Sequence, residues 1–187
     1  MELIRSFIAV DLEENLLEDF RRLQEQLSSS GADLKLVAPG NLHLTLRFLG
    51  EIPRSKVEAV IRGLEKIAFK PFRVKFEGVG AFPNLNRPRV LWVGVSEGVE
   101  ELKALAGRVE EVVLKAGIPR DPKGFTPHLT LARVRSGRNL PSLSRILREL
   151  SAVELGAMTV TAVRLKRSVL TPKGPIYSNL YEVKAVG

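Results

Sequence analysis

The tetrapeptide HLTL occurs at residues 43–46 and again, letter for letter, at residues 128–131. The chain of 187 residues contains two histidines, and each of them opens one copy. Because repeated segments indicate repeated architecture, the spacing of 85 positions between His43 and His128 gives the register in which the two halves can be compared.

A shift of 85 positions also aligns the segments that precede the two copies. FIAVDLEENLLEDF, residues 7–20, falls on WVGVSEGVEELKAL, residues 92–105, and most apolar positions coincide. Each segment predicts a short strand followed by an amphipathic helix, because its apolar residues first cluster and then recur at helical spacing. The predicted buried stripes are Leu16, Leu17, Phe20, Leu23 and Leu27 in the first helix, and Leu102, Leu105, Val109, Val112 and Val113 in the second.

Similar elements follow the two tetrapeptides. Second helices are predicted at about 55–68 and 140–150, each with a proline near its start, where a missing N–H is tolerated. Strands are predicted next at FRVKFEGV (72–79) and MTVTAVRL (158–165), where apolar residues alternate. Each half therefore reads β-α-β-α-β.

The repetition predicts an α+β fold of two lobes related by a pseudo-twofold axis. We expect duplicated β-α-β-α-β units, mainly antiparallel sheets lining a central cleft, and helices on the outside. Hairpins that turn near 84–88 and 172–174 follow the two units. The whole of 1–187 is expected to be one domain made of two interleaved lobes, with repeat halves of approximately 1–85 and 86–187.

The repeated tetrapeptide suits acid–base chemistry on a phosphate. Side chains alternate along a strand, so His43 and Thr45 share one face, as do His128 and Thr130, while the leucines face a core. One imidazole can accept a proton and the other can donate one near neutral pH. The threonine hydroxyls can hold phosphate oxygens between them. One such strand alone would be an ordinary strand, but two copies that hold both histidines indicate a catalytic site for phosphodiester hydrolysis.

The composition limits the other chemistries. There is no cysteine, so disulfides, thiolate catalysis and cysteine-bound zinc are excluded. A zinc site would need carboxylate ligands that no motif supplies, so we expect neither a metal nor a cofactor. The net charge of +8 favours an anionic partner such as RNA, although a basic surface without a ligand would have the same charge.

The same composition bears on location and source. No apolar run approaches the roughly 20 residues that cross a bilayer, and the start of the chain reads as a strand and a helix, not as a signal peptide. We expect a cytoplasmic protein without membrane contact. The abundance of lysine, arginine and glutamate, with cysteine absent, is typical of a thermophilic source.

Around the two motifs the sequence resembles the 2H phosphoesterase superfamily and, within it, the RNA 2′,3′-cyclic phosphodiesterases, also called 2′-5′ RNA ligases. The resemblance rests on HLTLRFLGE and FTPHLTLARV, and it extends to RSFIAVDL and LKRSVLTPKGPIYSNLYEV near the two ends. It implies metal-independent hydrolysis of a 2′,3′-cyclic phosphate at an RNA end, or on a cyclic nucleotide, to a 2′-phosphomonoester. It also implies that His43 donates a proton to the leaving 3′ oxygen, that His128 accepts one from water, and that Thr45 and Thr130 hold the phosphate.

Two further residues are predicted to contact the substrate. By strict alternation Arg47 shares the face of His43 and is expected to contact phosphate or ribose, whereas Arg133 falls on the opposite face and is expected at the surface. Phe125, at the end of the loop PRDPKGF, is expected to contact a base. Lys166 and Arg167 are candidates for the rim of the cleft, and a solvated basic edge strand explains them at least as well.

Other functions remain open at this stage. Reversal of the reaction would ligate RNA through a 2′-5′ linkage, which we expect only as a side activity because water favours hydrolysis. A nucleotide- or RNA-binding module without turnover would also use a doubled phosphate-binding motif. A related 2H enzyme could act on another cyclic phosphate or on a 2′-5′ oligonucleotide. We expect a monomer, because the internal duplication already supplies the symmetry of a dimer.

Overall fold

The computed structural model describes residues 1–187 as nine strands, four α-helices and two short 3-10 helices, at Glu14–Leu16 and Pro39–Asn41. The strands are β1 (Leu3–Asp11), β2 (Leu34–Leu36), β3 (His43–Pro53), β4 (Phe72–Pro83), β5 (Pro88–Glu97), β6 (His128–Val134), β7 (Glu154–Val160), β8 (Ala162–Thr171) and β9 (Gly174–Lys184). The helices are α1 (Leu17–Ser28), α2 (Arg54–Leu64), α3 (Val99–Lys115) and α4 (Leu140–Glu149).

All strand pairs are antiparallel, and the strands join in one sheet of order β7-β4-β5-β6-β3-β1-β8-β9, with β2 paired to β6. The order is nearly symmetric about its centre, where the two motif strands β3 and β6 meet at the single pair Leu44–Leu129. On one side β3 is followed by β1, β8 and β9, and on the other side β6 is followed by β5, β4 and β7. The pseudo-twofold therefore passes between the two copies of HLTL.

The helices cover one face of the sheet. Helices α1 and α3 each pack on the half of the sheet that contains the motif strand of the other repeat. Helix α1 follows β1 but packs on the β6 side, where the Phe20 ring contacts the Phe76 ring edge-on at 5.2 Å between centroids. Helix α3 follows β5 but packs against β3 and α2 on the other side. Gly63 allows α2 to approach α3 closely, since a Cβ there would lie 2.5 Å from a methyl group of Val112. Each side is thus completed by a helix from the other half of the chain.

One continuous hydrophobic core lies between the sheet and the helices. It contains the leucines of both motifs and most of the two predicted helical stripes; Leu17 and Val112 are only partly buried. The expected α+β fold of duplicated, mainly antiparallel units is confirmed, and both hairpins turn where they were predicted. None of the four helices combines the length and apolar character needed to cross a bilayer.

Two details differ from the sequence prediction. MTVTAVRL is not one strand. It is divided at Thr161 between β7 and β8, which lie in opposite halves of the strand order. The alternation continues through the break because both strands have one face on the core. Strand β2, with three residues, was not predicted, because so short a segment carries no readable periodicity.

Candidate active site

Four polar side chains from β3 and β6 meet at the centre of the sheet, on the face opposite the helices. Each of them is half-buried, while the leucines between them are buried in the core. The pair Leu44–Leu129 fixes the register of the two strands. At the positions on either side of this pair, His43 lies opposite Thr130 and Thr45 lies opposite His128. The two histidines are then diagonal neighbours, with Cα atoms about 7–8 Å apart. This spacing leaves room for one phosphate between the imidazoles.

Both imidazoles are held in the same way by the backbone. The Nδ1 atom of His43 lies 2.6 Å from the carbonyl oxygen of Asn41, and that of His128 lies 2.7 Å from the carbonyl oxygen of Thr126. Because a carbonyl only accepts, Nδ1 carries the hydrogen in each neutral ring and Nε2 carries the lone pair. The atom free for proton transfer is therefore Nε2 in both halves.

His43 has the more enclosed surroundings of the two histidines. Its ring packs against Phe7 and Tyr177, with centroids 4.9 Å and 5.6 Å away, and Nε2 accepts a hydrogen bond from the Thr45 hydroxyl at 2.8 Å. Burial lowers the pKa of His43 below its ordinary value, the Asn41 carbonyl opposes this shift, and the Lys166 ammonium adds to it. Unliganded His43 is thus more often neutral than an exposed histidine.

His128 is the more exposed of the two, and its Nε2 has no partner within the protein. Phe82 meets its ring edge-on at 5.1 Å, and Trp92 lies 6.3 Å away. The Trp92 ring occupies space that a side chain at position 80 would fill, so Gly80 is required beneath it. Phe7 and Trp92, which align in the sequence repeat, therefore flank equivalent histidines.

Each motif strand bulges at the last residue of the tetrapeptide. Thr45 faces Ala9 of β1 but Arg47 faces Ile8, so Leu46 is the extra residue. In the second half Thr130 faces Trp92 but Ala132 faces Leu91, so Leu131 is the extra residue. A one-residue insertion reverses the alternation of every side chain beyond it.

The bulge turns Arg47 away from the site, so the expected face of this residue is wrong. Arg47 is 8% exposed, and its Nε donates to a carboxylate oxygen of Glu110 on α3 at 2.7 Å. Further hydrogen bonds reach the carbonyl oxygens of Phe48 and Pro119. Arg47 thus anchors β3 to α3 on the helical side of the sheet.

The equivalent bulge brings Arg133 onto the motif face, where strict alternation did not place it. Its cross-strand neighbours are Val90 on β5 and Lys35 on β2. Burial raises the pKa of the Tyr177 phenol, and the positive charges of Arg5 and Arg133 oppose that rise. Two arginines therefore act on the hydroxyl of Tyr177, whose ring packs against His43. In the first half the sequence signal of the bulge is the interval between leucines, which is two from Leu44 to Leu46 and three from Leu46 to Leu49.

Phe125 does not line the histidines. Its side chain is half-buried and packs against the hydrophobic core. The rings around the imidazoles are instead those of Phe7, Tyr177, Phe82 and Trp92. The expected base contact by Phe125 finds no support in this placement. The exposed ring of Phe82 was missed because its proximity to His128 is tertiary and leaves no local sequence signal.

Lys166 belongs to an ionic cluster around Asp11, the residue of β1 that pairs with His43 across the strands. Its ammonium lies 2.6 Å from one carboxylate oxygen of Asp11, and the guanidinium of Arg164 lies 2.6 Å from the other. Arg164 also binds Glu182 at 2.7 Å. Lys166 is 8% exposed, so it is a buried neighbour of the site and not a residue of its rim.

No three histidine or carboxylate side chains lie close enough together to hold a metal ion. Two grooves of about 420 and 410 Å³ lie elsewhere, one beside α1 and β7 and one between α2 and α3. Neither groove contains a motif histidine. The candidate site is therefore marked by converging acid–base groups and hydroxyls, and what it can do chemically is transfer protons at a bound anion.

Comparisons with known proteins show the family of the chain and agree with its fold. The family model described as LigT like Phosphoesterase matches the chain twice, over residues 10–92 and 93–177. A protein of Archaeoglobus fulgidus named RNA 2′,3′-cyclic phosphodiesterase is 45% identical over 95% of this chain and 98% of its own. The crystal structure of TT0787 of Thermus thermophilus superposes with a TM-score of 0.80, at 32% identity and 97% coverage of both chains. Escherichia coli LigT complexed with 3′-AMP has a TM-score of 0.78, at 25% identity and full coverage of both chains.

Proposed function

Because the chain belongs to the LigT-like phosphoesterase family, we propose that it is an RNA 2′,3′-cyclic phosphodiesterase that opens the cyclic phosphate to a 2′-phosphomonoester without a metal ion. The observation that carries the proposal is the convergence of two imidazoles and two hydroxyls at the junction of β3 and β6. The name of the Archaeoglobus relative and the nucleotide bound to LigT support the choice of substrate.

In the proposed reaction the second motif activates water. The Nε2 atom of His128, which has no partner within the protein, takes a proton from a water molecule as the water oxygen attacks phosphorus. The carbonyl of Thr126 holds Nδ1–H and stabilises the imidazolium that forms. Thr45 and Thr130 donate hydrogen bonds to the non-bridging oxygens, where negative charge increases in the transition state.

The first motif releases the leaving group. As the bond from phosphorus to the 3′ oxygen breaks, the imidazolium of His43 gives its Nε2 proton to that oxygen, which leaves a free 3′-hydroxyl and a 2′-phosphate. A lowered pKa makes this imidazolium a stronger acid. The bound phosphate anion favours protonation of the same ring, so substrate binding counteracts the effect of burial. The order of the two roles follows the family resemblance.

If the 5′-hydroxyl of another RNA end attacks phosphorus in place of water, ring opening at the 3′ oxygen would give a 2′-5′ RNA linkage. The two histidines keep their roles, since His128 takes the proton of the 5′-hydroxyl and His43 gives one to the leaving 3′ oxygen. Water is present at far higher concentration than any RNA end, so hydrolysis dominates. Ligation is therefore proposed as a side activity of the same site.

The test uses 2′,3′-cyclic AMP and a 2′-5′ adenine dinucleotide as separate substrates in excess EDTA, with 2′-AMP resolved from 3′-AMP. We expect 2′-AMP from the cyclic substrate, and its loss in both His43→Ala and His128→Ala. A strict requirement for a divalent metal, or formation of 3′-AMP, would contradict the proposal. Cleavage of the 2′-5′ dinucleotide alone would favour a related phosphoesterase, and binding of the cyclic nucleotide without turnover would favour a binding module.

A further inference from the structure

Beyond the second motif, the sheet places two positive side chains directly opposite each other. Lys35 of β2 is the cross-strand partner of Arg133 of β6, and both are exposed. Neither takes part in an ion pair, although Arg135, two residues further along, is paired with Asp33. Like charges at directly opposite positions repel each other and destabilise a sheet. An anion between them would remove that repulsion.

The pair lies on the same face as the catalytic groups. Leu34 and Val134, which flank the pair in the register, pack against the core, so Lys35 and Arg133 project from the other face. The bulge at Leu131 makes Arg133 the next residue after Thr130 on that face, about 7 Å along the strand. The positive pair therefore continues the line of phosphate-binding groups away from the histidines.

We propose that Lys35 and Arg133 form a subsite for the internal phosphodiester next to the terminal cyclic phosphate, so that the enzyme prefers an RNA strand to a cyclic mononucleotide. This proposal rests on the proposed function, because it assumes that a cyclic phosphate occupies the central site. Lysine and arginine offer only donors, which suit the two non-bridging oxygens of a phosphodiester. Contacts to the backbone carry no sequence information, so the preference should not depend on the base.

The experiment compares two adenine dinucleotides that end in a 2′,3′-cyclic phosphate. One has an ordinary internal phosphodiester, and the other has an uncharged methylphosphonate in its place. We expect the wild-type kcat/KM to be about tenfold higher with the charged linkage, the size of one partly exposed charge-assisted hydrogen bond. Lys35→Gln should lose about tenfold with the charged dinucleotide and discriminate little between the two linkages. Lys66→Gln, which removes an exposed lysine from the groove between α2 and α3, should behave as wild type.

Each other outcome has a distinct meaning. If Lys35→Gln lowers kcat/KM equally for both dinucleotides, the lysine supports the structure and the subsite is refuted. Equal wild-type rates on the two dinucleotides would refute it as well, while leaving the cyclic phosphodiesterase activity intact. If wild type hydrolyses neither the dinucleotides nor 2′,3′-cyclic AMP, the proposed function fails and the subsite fails with it.

Discussion

The two HLTL segments have the same backbone anchor and different surroundings. In both, a carbonyl two residues before the histidine accepts from Nδ1–H and leaves Nε2 for chemistry. Around His43, Phe7 and Tyr177 enclose the ring and the Thr45 hydroxyl occupies Nε2. His128 is more open, and its Nε2 has no partner within the protein. The two imidazoles are thus anchored alike in unequal surroundings, which suits the proposed roles of one as acid and the other as base.

The same contrast continues beyond the motifs. At the position after the bulge, the first half has Phe48 and the second half has Arg133. Arg5 lies over the Phe48 ring at 4.8 Å and so supplies a cation there from the neighbouring strand. Both ends of the site therefore carry a positive charge, but a different strand provides it in each half.

The proposal that the two motifs have complementary roles would fail most clearly if one histidine were dispensable. We expect His43→Ala and His128→Ala each to lower kcat/KM on a cyclic-phosphate dinucleotide by about 10²–10⁴-fold, because each deletes one proton-transfer group. The double variant should lose little more than the worse single variant, since the two groups act in one step. Steady-state kinetics with circular dichroism as a folding control measures this. Full additivity of the two losses would indicate independent roles.

The threonines are expected to show a smaller and unequal effect. Thr45→Val and Thr130→Val should each lower kcat by about 10²-fold, because one donor to the phosphate oxygens is lost. The Thr45 variant should be the more affected, since its hydroxyl also holds Nε2 of His43. Equal losses in both variants would mean that this hydrogen bond is irrelevant to catalysis.

The bulge that moves Arg47 to the helical side gives a prediction about stability. Arg47→Met should lower the free energy of unfolding by about 3 kcal/mol, because Glu110 loses a largely buried partner. Urea denaturation measures this, and kcat/KM of the folded variant should change less than about threefold. A combined Arg47→Met, Glu110→Leu variant should regain part of the stability. A large loss of kcat/KM without loss of stability would show that Arg47 contacts the substrate and contradict its structural role.

The smallest expected effect concerns the positive charge of Lys166 near His43. Lys166→Gln removes a positive charge that disfavours the His43 imidazolium and frees Asp11, which favours it, so both changes raise the pKa of His43. With two histidines in the chain, NMR titration of the His43 ring can follow this, using His128→Asn for assignment. Arg167→Gln, at the next position but paired with Glu2, is the matched control. A lower pKa in Lys166→Gln would contradict this picture of the cluster.

Sequence alone was sufficient to predict the fold class and the convergence of the four central residues, because the repeat indicates the symmetry and the short motif indicates the chemistry. It assigned the wrong face of the strand to Arg47 and Arg133, since strict alternation does not survive a bulge, although Arg133 is exposed as expected. The leucines of the first motif strand are spaced by two and then by three, at positions 44, 46 and 49, and this change in interval is the only trace that the bulge leaves in the sequence. Tertiary proximity of Tyr177 or Phe82 to the histidines leaves no local signal.

The central claim is that the two halves have different roles, with His43 as acid and His128 as base. The most direct measurement uses a dinucleotide whose 2′,3′-cyclic phosphate has sulfur in place of the 3′ oxygen. A thiolate, with a thiol pKa near 8.5, leaves without the help of an acid. We predict that the kcat/KM deficit of His43→Ala shrinks at least about tenfold on this substrate, while the deficit of His128→Ala persists. Recovery of His128→Ala, with His43→Ala unchanged, would show that the roles are reversed.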